Sequence, residues 1–228
     1  MTFDLYLILH HSEWKSAQKS IPYIQKNIKA RRIVIVSSRE MLAENLCGCD
    51  FLDENEVFSG LSFSAVKDFI ASLGADTRNT GWYLQQFVKL GIAEKCADEY
   101  YLVWDADTIP LNPIEFFSAD GKPYFNLKRE YFSVYFRTIK KLFGFSKKTH
   151  ESFISEHMLF RTDFVKEMLK KIEQINEGGG RASGKKSSLP RICCIKTWSK
   201  KTNDFSPSLK LTAHSSTTRT QDFTRIAA

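Results

Sequence analysis

The sequence lacks several features that would assign it directly to a common class. No apolar run reaches the roughly 18 residues that a membrane-spanning helix needs. No glycine-rich phosphate-binding loop follows the first apolar segment, since the residues there read LILHHSEW. The apolar N-terminal patch has neither a basic leader before it nor a small-residue cleavage site after it. We therefore expect a first β-strand in a soluble or peripheral protein, not a signal peptide.

Cysteine is scarce, and its spacing excludes the common zinc motifs. The five cysteines are odd in number, and neither the C-x-C pair nor the adjacent pair has a second half at zinc-site spacing. They are Cys47, Cys49, Cys96, Cys193 and Cys194. Reduced thiols, buried or incidental, are expected in a cytoplasmic protein. A metal or redox role is the alternative.

The net charge of +7 is confined to one end of the chain. Residues 178–228 carry 10 basic and two acidic side chains, which leaves 23 basic and 24 acidic residues in the first 177. The first 177 residues are therefore close to neutral. A nucleic-acid partner is not expected, because a nucleic-acid binder places its basic residues on a structured face with aromatics.

The same boundary separates two kinds of sequence. Residues 1–177 are predicted to form one domain, whereas 178–228 are rich in Ser, Thr and Lys with no period of 3.6 or 2. Three interpretations of this tail stay open: a disordered flexible tail, an electrostatic tether to an anionic membrane, or a segment translated out of frame.

The first 177 residues alternate between strand-like and helix-like patterns. Continuous β-branched or aromatic runs predict buried strands, and amphipathic stretches between them predict helices. This alternation predicts an α/β fold with a mostly parallel sheet, helices on its faces, and ligands beyond the carboxyl ends of the strands. The predicted strands are 3–9, 31–38, 99–104 and an extended piece at 55–60; the predicted helices are 12–28, 39–46, 62–73, one starting after Thr80, and 163–177.

Two aspartates directly follow an apolar strand in the segment EYYLVWDADTIPL, residues 99–111. Alternation along an extended chain would send Asp105 and Asp107 to the same side. Two close carboxylates repel each other unless a cation compensates, and hard oxygen ligands suit Mg²⁺ or Mn²⁺. The alternative is a solvated turn, because aspartate and proline are common in turns.

Four segments in this order resemble a known family. YLVWDADTIPL is similar to the D-x-D segment of nucleotide-sugar-dependent glycosyltransferases with the GT-A fold. The other three segments resemble a group of bacterial transferase-like proteins linked with surface polysaccharide synthesis, and the resemblance covers roughly residues 3–177. They are NTGWYLQQFVKLGIA (79–93), DGKPYFN (120–126) and ESFISEHMLFRTDFVKEML (151–169).

The resemblance implies a role for individual residues. Asp105 and Asp107 would hold the metal, with Asp105 also near the sugar donor. The start of the helix after Asn79 would approach the donor, although an aromatic there also commonly packs against a sheet. Arg39, after the second strand, would contact phosphate or remain solvated. The residues expected at the donor are Ser37, Arg39, Thr80, Gly81, Trp82, Gln85, Gln86 and Asp105.

Glu156 and His157 are the candidate catalytic pair. A transferase that inverts the anomeric centre needs a group that takes the acceptor hydroxyl's proton. Glu156 is expected to be this base, with His157 binding the acceptor or lying beside the metal, both facing one crevice. The alternative is a helix-capping acid next to a packed histidine.

These observations together predict a metal-dependent glycosyltransferase. Its donor would be a nucleotide diphosphate sugar and its acceptor a glycan or lipid-linked glycan of the bacterial surface, such as lipopolysaccharide or capsule. We expect it in the cytoplasm, with the basic segment 137–150 either contacting the inner membrane face or forming a solvated helix end. The alternatives are a sugar nucleotidyltransferase and a non-catalytic basic binding protein.

The tail departs from what the resemblance implies. Transferases of this fold commonly use a C-terminal histidine or closing loop at the metal, and His214 is the only histidine after residue 177. An altered C-terminus would therefore weaken turnover while sparing donor binding.

Overall fold

The computed structural model describes residues 1–128, 133–146, 151, 153 and 155–178. Residues 179–228, which include His214, lie outside these residues, as does most of 147–154. The described chain contains five strands: β1 (Asp4–Ile8), β2 (Ile33–Ser37), β3 (Asp50–Asp53), β4 (Tyr100–Asp105) and β5 (His157–Arg161). Its α-helices are α1 (Trp14–Asn27), α2 (Phe63–Ser72), α3 (Thr80–Lys95), α4 (Ser133–Phe143) and α5 (Thr162–Gly178).

The five strands form one sheet in the order β3-β2-β1-β4-β5. The pairs β2–β3, β1–β2 and β1–β4 are parallel, and β5 runs antiparallel to β4. The mostly parallel α/β class predicted from the sequence is confirmed. Because the strand order reverses between β1 and β4, the carboxyl ends of these two strands mark the place where open α/β sheets bind ligands.

The apolar strands bury side chains on both faces of the sheet. Alternate residues of β4 point to opposite faces, so Tyr101 and Val103 join the core packed by α2, α3 and α5. Leu102 and Trp104 join the second core, packed by α1. A strand covered on both sides needs an unbroken apolar run, and this requirement explains the sequence from Tyr100 to Trp104.

Two local expectations differ from the structure. The third strand is Asp50–Asp53, not residues 55–60, because the Asp53 carboxylate accepts from the backbone N–H of Asn55 and starts a 3-10 turn. The segment after β2 is a 3-10 helix at Arg39–Ala43, shorter than the helix expected over residues 39–46.

An ion-pair network closes the amino-terminal edge of the sheet, opposite the candidate site. The Asp4 carboxylate is 1% exposed and accepts hydrogen bonds from Arg31 Nε and Arg32 Nε, each at 2.9 Å. Arg31 also binds Asp98, which precedes β4. The network therefore ties the starts of β1, β2 and β4 together. None of the described helices has the length and apolarity to cross a membrane.

Candidate functional site

The D-x-D segment turns at the carboxyl end of β4 instead of continuing as extended chain. The N–H of Thr108 donates to the carbonyl of Asp105 at 3.0 Å, which closes a turn. Ser20 in α1 donates its hydroxyl to the carbonyl of Ala106 at 2.7 Å, and Trp104 Nε1 donates to the carbonyl of Thr108 at 2.8 Å. These bonds hold the turn against the sheet and α1, so its aspartates lie on a supported backbone.

Asp105 is half-buried and forms an ion pair with Lys89. Lys89 in α3 places its Nζ 2.8 Å from Asp105 Oδ1, and the lysine side chain is 17% exposed. Burial raises the pKa of Asp105, the Lys89 ammonium lowers it, and the charges of Asp107 and Glu156 raise it further; the net direction is upward. A carboxylate in this position favours any additional positive charge that approaches it.

Asp107 is exposed, unlike Asp105. The sequence predicted that an extended chain places Asp105 and Asp107 on the same side. This prediction is wrong, because the chain leaves the extended conformation after Asp105 and forms a turn. The two carboxylates still interact, since the charge of Asp107 raises the pKa of Asp105. The turn thus presents one half-buried and one solvent-facing carboxylate at the same edge.

Glu156 lies beside Asp105 across the antiparallel β4–β5 pair. The backbone N–H of Asp105 donates to the Glu156 carbonyl at 2.9 Å. Lys128 Nζ lies 2.6 Å from Glu156 Oε1, whereas Glu156 Oε2 is buried with no hydrogen bond from any described residue. Burial alone would raise the pKa of Glu156, but the Lys128 ammonium and nearby hydrogen bonds outweigh it and the net pKa is lowered. Glu156 is therefore held as a carboxylate.

His157 packs on the α1 side of the sheet. It is the first residue of β5, and its ring stacks on Trp104 with centroids 4.7 Å apart. The side chain is 7% exposed, and burial lowers its pKa to about 4, although the charge of Glu156 opposes this shift. The expectation that Glu156 and His157 face one crevice stays a prediction, as does a role for a neutral His157 in binding.

One stripe of α3 faces the carboxyl ends of β1 and β4. Gln85 Nε2 donates to the carbonyl of Ile8, the last residue of β1, at 3.3 Å. Lys89 lies four residues further along the helix and reaches Asp105, so both side chains lie on one helix face. Trp82, three residues before Gln85, extends this stripe and is 45% exposed. Trp82 is therefore not packed into the sheet.

The other residues expected at the donor from this helix differ in access. Thr80 is 1% exposed, and its hydroxyl donates to the carbonyl of Thr77. Gly81 has open space where a side chain would start. Gln86 is half-buried. Gly81 is thus the one of these three whose backbone a ligand reaches without rearrangement.

Ser37 is the last residue of β2, and Arg39 follows the strand. Their strand lies two positions away from β4, or about 10 Å along the sheet edge. Ser37 is fully buried, and its hydroxyl has no hydrogen bond among the described residues. Arg39 binds Asp53 and Glu56, both at 2.6 Å. A phosphate would therefore compete with two carboxylates for Arg39.

The carboxylates at this edge do not form a complete metal cage. Within the described ranges, no group of three or more His, Cys, Asp or Glu side chains is placed to hold a metal ion. Mg²⁺, however, is commonly bound through one or two carboxylates plus substrate phosphates and water. Asp105 and Asp107 fit a cation that arrives with a diphosphate, not one held by protein ligands alone.

Sequence reasoning missed Lys89 and Lys128. Lys89 had a usable signal, because Gln85 and Lys89 repeat at four residues on a helix whose other facing residues are apolar. No sequence signal pointed to Lys128, because this residue lies outside the helices and strands and its partner Glu156 is 28 residues away.

The model of a protein family of unknown function, DUF6492, matches residues 2–206. The chain belongs to this family. The DUF6492 match continues past residue 177, where the resemblance of the motifs ended, into the segment 178–228. No curated protein matches the sequence.

Solved glycosyltransferase structures are similar to this DUF6492 chain at low identity. An active-site mutant of LgtC is 13% identical with a TM-score of 0.48, over 85% of this chain and 70% of LgtC. The galactosyltransferase LgtC with donor and acceptor sugar analogues is 13% identical with a TM-score of 0.44, over the same shares. The glycosyltransferase GlyE of Streptococcus pneumoniae TIGR4 is 11% identical with a TM-score of 0.41, over 86% of this chain and 43% of GlyE. The α/β architecture of this chain is established by its own five-stranded sheet and not by these similarities.

Proposed function

We propose that the chain is a metal-dependent glycosyltransferase that moves a sugar from a nucleotide diphosphate sugar to a bacterial surface glycan, such as lipopolysaccharide or capsule. One observation carries this proposal: the half-buried Asp105, paired with Lys89 and followed by the exposed Asp107, lies where the strand order reverses. Open α/β sheets bind nucleotides at this place. The D-x-D resemblance supports a sugar as the transferred group.

Asp105 and Asp107 would hold Mn²⁺ or Mg²⁺ together with the donor's diphosphate. A bound cation would stabilise the negative charge that develops on the leaving diphosphate. Lys89 neutralises Asp105 before the donor arrives, and its Nζ, already within the site, lies ready to contact a phosphate or sugar oxygen.

The donor would extend along the edge from β4 towards β2. Trp82 offers an exposed aromatic face, and Gln85 fixes the helix to the end of β1. Gly81 lets the backbone approach closely. Thr80 and Gln86 would support this helix start, and Ser37 and Arg39 would lie at the far end of the nucleotide. Arg39 is the phosphate partner of this set and would leave Asp53 or Glu56 to bind.

Glu156 would act as the base of an inverting transfer. The acceptor hydroxyl oxygen would form a bond to the anomeric carbon as the bond to the diphosphate oxygen breaks, and the hydroxyl proton would move to Glu156. Oε2, which is buried and has no hydrogen-bond partner in the described part of the chain, would accept this proton, and Lys128 on Oε1 keeps the group ionised beforehand. His157, whose ring stacks on Trp104, would serve acceptor binding.

The enzyme would work in the cytoplasm against the inner membrane face. Arg137, Lys140 and Lys141 are exposed on α4, and Phe145 just beyond it is 55% exposed. Basic side chains beside exposed aromatics favour an anionic lipid surface. A lipid-linked acceptor would be reached from there.

Calorimetric titration tests the donor site. Wild-type protein is titrated with UDP, GDP and CMP, each with and without Mn²⁺, beside Asp107→Ala. We expect one nucleotide to bind only with Mn²⁺ and its affinity to fall at least tenfold in Asp107→Ala. Asp68→Ala, at an exposed position of α2, is the matched control and should bind as wild type. Binding of no nucleotide by the wild type, or equal binding by Asp107→Ala, would rule out this site.

A further inference from the structure

The connection from β2 to β3 ends in a turn that carries two cysteines. The N–H of Cys49 donates to the carbonyl of Leu46 at 3.0 Å, which closes a β-turn over residues 46–49. Cys47 and Gly48, its two central residues, have φ angles of 55° and 77°. Positive φ at both central positions is typical of a type I′ turn. We call residues 46–49 the dithiol turn.

Cysteine is an unusual residue at the first central position of such a turn. Type I′ turns favour Asn, Asp or Gly, because most other side chains are strained at positive φ. Cys47 is the only residue other than glycine with positive φ among those that the structure describes. An observed outlier of this kind is grounds for a hypothesis of function. The chain keeps a thiol at a position where other residues would be more stable.

The turn brings the two cysteines within the span of a disulfide bond. Consecutive Cα atoms are about 3.8 Å apart, and two such steps that meet near a right angle separate the Cα atoms of Cys47 and Cys49 by about 5.4 Å. Disulfides join Cα atoms that are about 4.4–6.8 Å apart. An extended chain would separate the same two atoms by about 7 Å. The bend of the turn therefore makes the bond possible.

The two thiols are both partly accessible and lie close enough to interact. Cys47 and Cys49 are half-buried at the margin of the α1-side core. Burial raises the pKa of the Cys49 thiol to about 11, and the charge of Cys47 contributes to this shift. The Cys47 thiol donates to the carbonyl of Asn45 at 3.6 Å. Because a thiol is a weak donor, this contact does not prevent Cys47 Sγ from turning towards Cys49.

The surroundings of the turn exclude other pairings of these thiols. Structural zinc needs four ligands, and no group of three or more His, Cys, Asp or Glu side chains in the described part of the chain is placed to hold a metal. Cys96, the third cysteine that the structure describes, is buried in the core on the opposite face of the sheet. Among the described cysteines, Cys47 and Cys49 can therefore pair only with each other.

We infer that Cys47 and Cys49 are a modification site that forms a reversible intrachain disulfide, with a low-molecular-weight disulfide as the oxidant. The Cys47 thiolate attacks one sulfur of the oxidant, whose S–S bond breaks and whose other half leaves as a thiolate. The Cys49 thiolate then attacks the Cys47 sulfur and releases the remaining half. Two protein thiols lose two electrons and two protons, and the oxidant is reduced to two thiols.

The order of these steps follows from the environment of Cys49. Cys49 is almost entirely protonated near pH 7, so it reacts slowly with a free oxidant. Once Cys47 carries the mixed disulfide, the sulfur under attack is held in the same turn, and this proximity compensates for the small thiolate fraction. A disulfide across one intervening residue closes a small, strained ring, and strained disulfides are readily reduced. The dithiol is therefore the resting form, and the disulfide forms when oxidant is abundant.

Peptide mapping tests the inference on the full chain. The protein is equilibrated with oxidised glutathione, its free thiols are blocked with N-ethylmaleimide in urea, and it is digested with trypsin. Cleavage after Arg39 and Lys67 gives one peptide, residues 40–67, that contains both cysteines. Oxidation should lower the double N-ethylmaleimide adduct of this peptide at least tenfold, and dithiothreitol should restore it. A peptide that keeps both adducts, retains glutathione, or is joined to another peptide overturns the inference.

Cysteine variants identify the two partners. Cys193→Ser with Cys194→Ser removes the thiols beyond residue 178 and should leave the disulfide intact, as should Cys96→Ser. Cys49→Ser should stop at a glutathione adduct on Cys47, whereas Cys47→Ser should carry at least tenfold less glutathione. Loss of the disulfide in either control, or equal adducts in the two single variants of the turn, overturns the assignment. Unfolding midpoints establish that the variants are folded.

Comparison with the unfolded chain separates a built site from proximity in the sequence. The equilibrium constant for oxidation by glutathione should be at least threefold higher in the folded protein than in concentrated urea, because the turn already holds the two Cα atoms within reach. An equal or lower constant in the folded protein overturns the inference. The outcome is independent of the proposed transferase, since the turn leads into the start of β3, at the edge of the sheet opposite the carboxylates.

Discussion

The Lys89 ammonium lies 2.8 Å from Asp105 Oδ1 and joins the middle of α3 to the carboxyl end of β4. The two side chains are 17% and 33% exposed, so solvent screens the pair only in part. Three carboxylates, those of Asp105, Asp107 and Glu156, interact at this edge. Lys89 therefore offsets a repulsion that the fold itself creates.

Replacement of Lys89 should destabilise the protein in a way that depends on Asp105. Lys89→Met leaves the half-buried carboxylate without its cation, and we expect a loss of about 1–3 kcal/mol in the free energy of unfolding. Asp105→Asn in the Lys89→Met background should recover most of this loss, because no uncompensated charge remains. Urea unfolding of the four proteins of the double-mutant cycle measures the coupling. A coupling energy near zero would show that the pair contributes nothing to stability.

The two glycines of α3 should respond in opposite directions to alanine. A Cβ on Gly91 would lie 2.5 Å from a ring carbon of Phe58 and overlap Val57 as well, so Gly91→Ala should cost about 1–3 kcal/mol through overpacking. Gly81 has open space at the same atom, and Gly81→Ala should gain about 0.5–1 kcal/mol from helix propensity. Thermal and urea unfolding compare the two. Equal effects at both positions would contradict the close packing of α3 on Val57 and Phe58.

Gly81→Ala also bears on the donor site. If the donor approaches the start of α3 closely, this more stable variant should bind nucleotide at least threefold more weakly. Wild-type affinity in the variant would remove Gly81 from the donor contacts while leaving the helix assignment intact.

Much of the sheet could be predicted from the sequence, because unbroken apolar runs mark strands that are buried on both faces. The runs ending at Ile8, Ser37 and Asp105 give β1, β2 and β4 directly. The short strand Asp50–Asp53 could not be found, because its DFLD segment is half polar and its end is set by a side-chain bond from Asp53 to Asn55.

The site was predictable only where residues are close in sequence. Asp105 and Asp107 follow an apolar run and could be identified directly. The Lys128–Glu156 contact depends on how an irregular segment folds back over β5, which no local pattern reports. The face of the sheet on which His157 lies depends on the first residue of β5, and a shift of one residue reverses every side chain of the strand.

His157 should make stability fall as the pH is lowered from 6.5. Burial lowers its pKa to about 4 in the folded protein, from about 6.5 when unfolded. Between these values the unfolded chain binds a proton that the folded chain does not, so acid favours unfolding. The loss approaches about 3 kcal/mol below pH 4, at about 1.4 kcal/mol for each unit of pKa difference.

The matched variant for this titration is His157→Phe, which keeps an aromatic ring on Trp104. Urea unfolding at intervals from pH 7 to pH 4.5 should give a shallower pH dependence in the variant than in the wild type. Parallel curves would mean that His157 is protonated in the folded protein as readily as in the unfolded one.

Asp4 should be the most important carboxylate of the amino-terminal edge. It is 1% exposed and accepts from both Arg31 and Arg32, whose own side chains are about half exposed, so Asp4→Asn should cost about 1–3 kcal/mol, the magnitude for losing charged hydrogen bonds to a buried group. Asp50 binds Arg32 at 3.1 Å with half of its side chain exposed, and Asp50→Asn should cost at most about 1 kcal/mol. Urea unfolding orders the two variants. Nucleotide binding should persist in both, because this edge is opposite the carboxyl ends of the strands.

The exposed basic side chains of α4 should determine membrane contact. Each Lys or Arg near an anionic surface contributes about 1 kcal/mol. The triple variant Arg137→Gln, Lys140→Gln, Lys141→Gln should therefore bind phosphatidylglycerol-containing vesicles with about a hundredfold lower affinity than the wild type, as measured by co-sedimentation. Vesicles of phosphatidylcholine alone should bind neither protein, and 0.5 M salt should release the wild type, because screening shortens the reach of surface charge.

A triple variant on the exposed lysines of α1, Lys15→Gln, Lys19→Gln, Lys26→Gln, removes the same charge from another face and should still bind. Equal loss in both variants would assign the contact to net charge and not to α4.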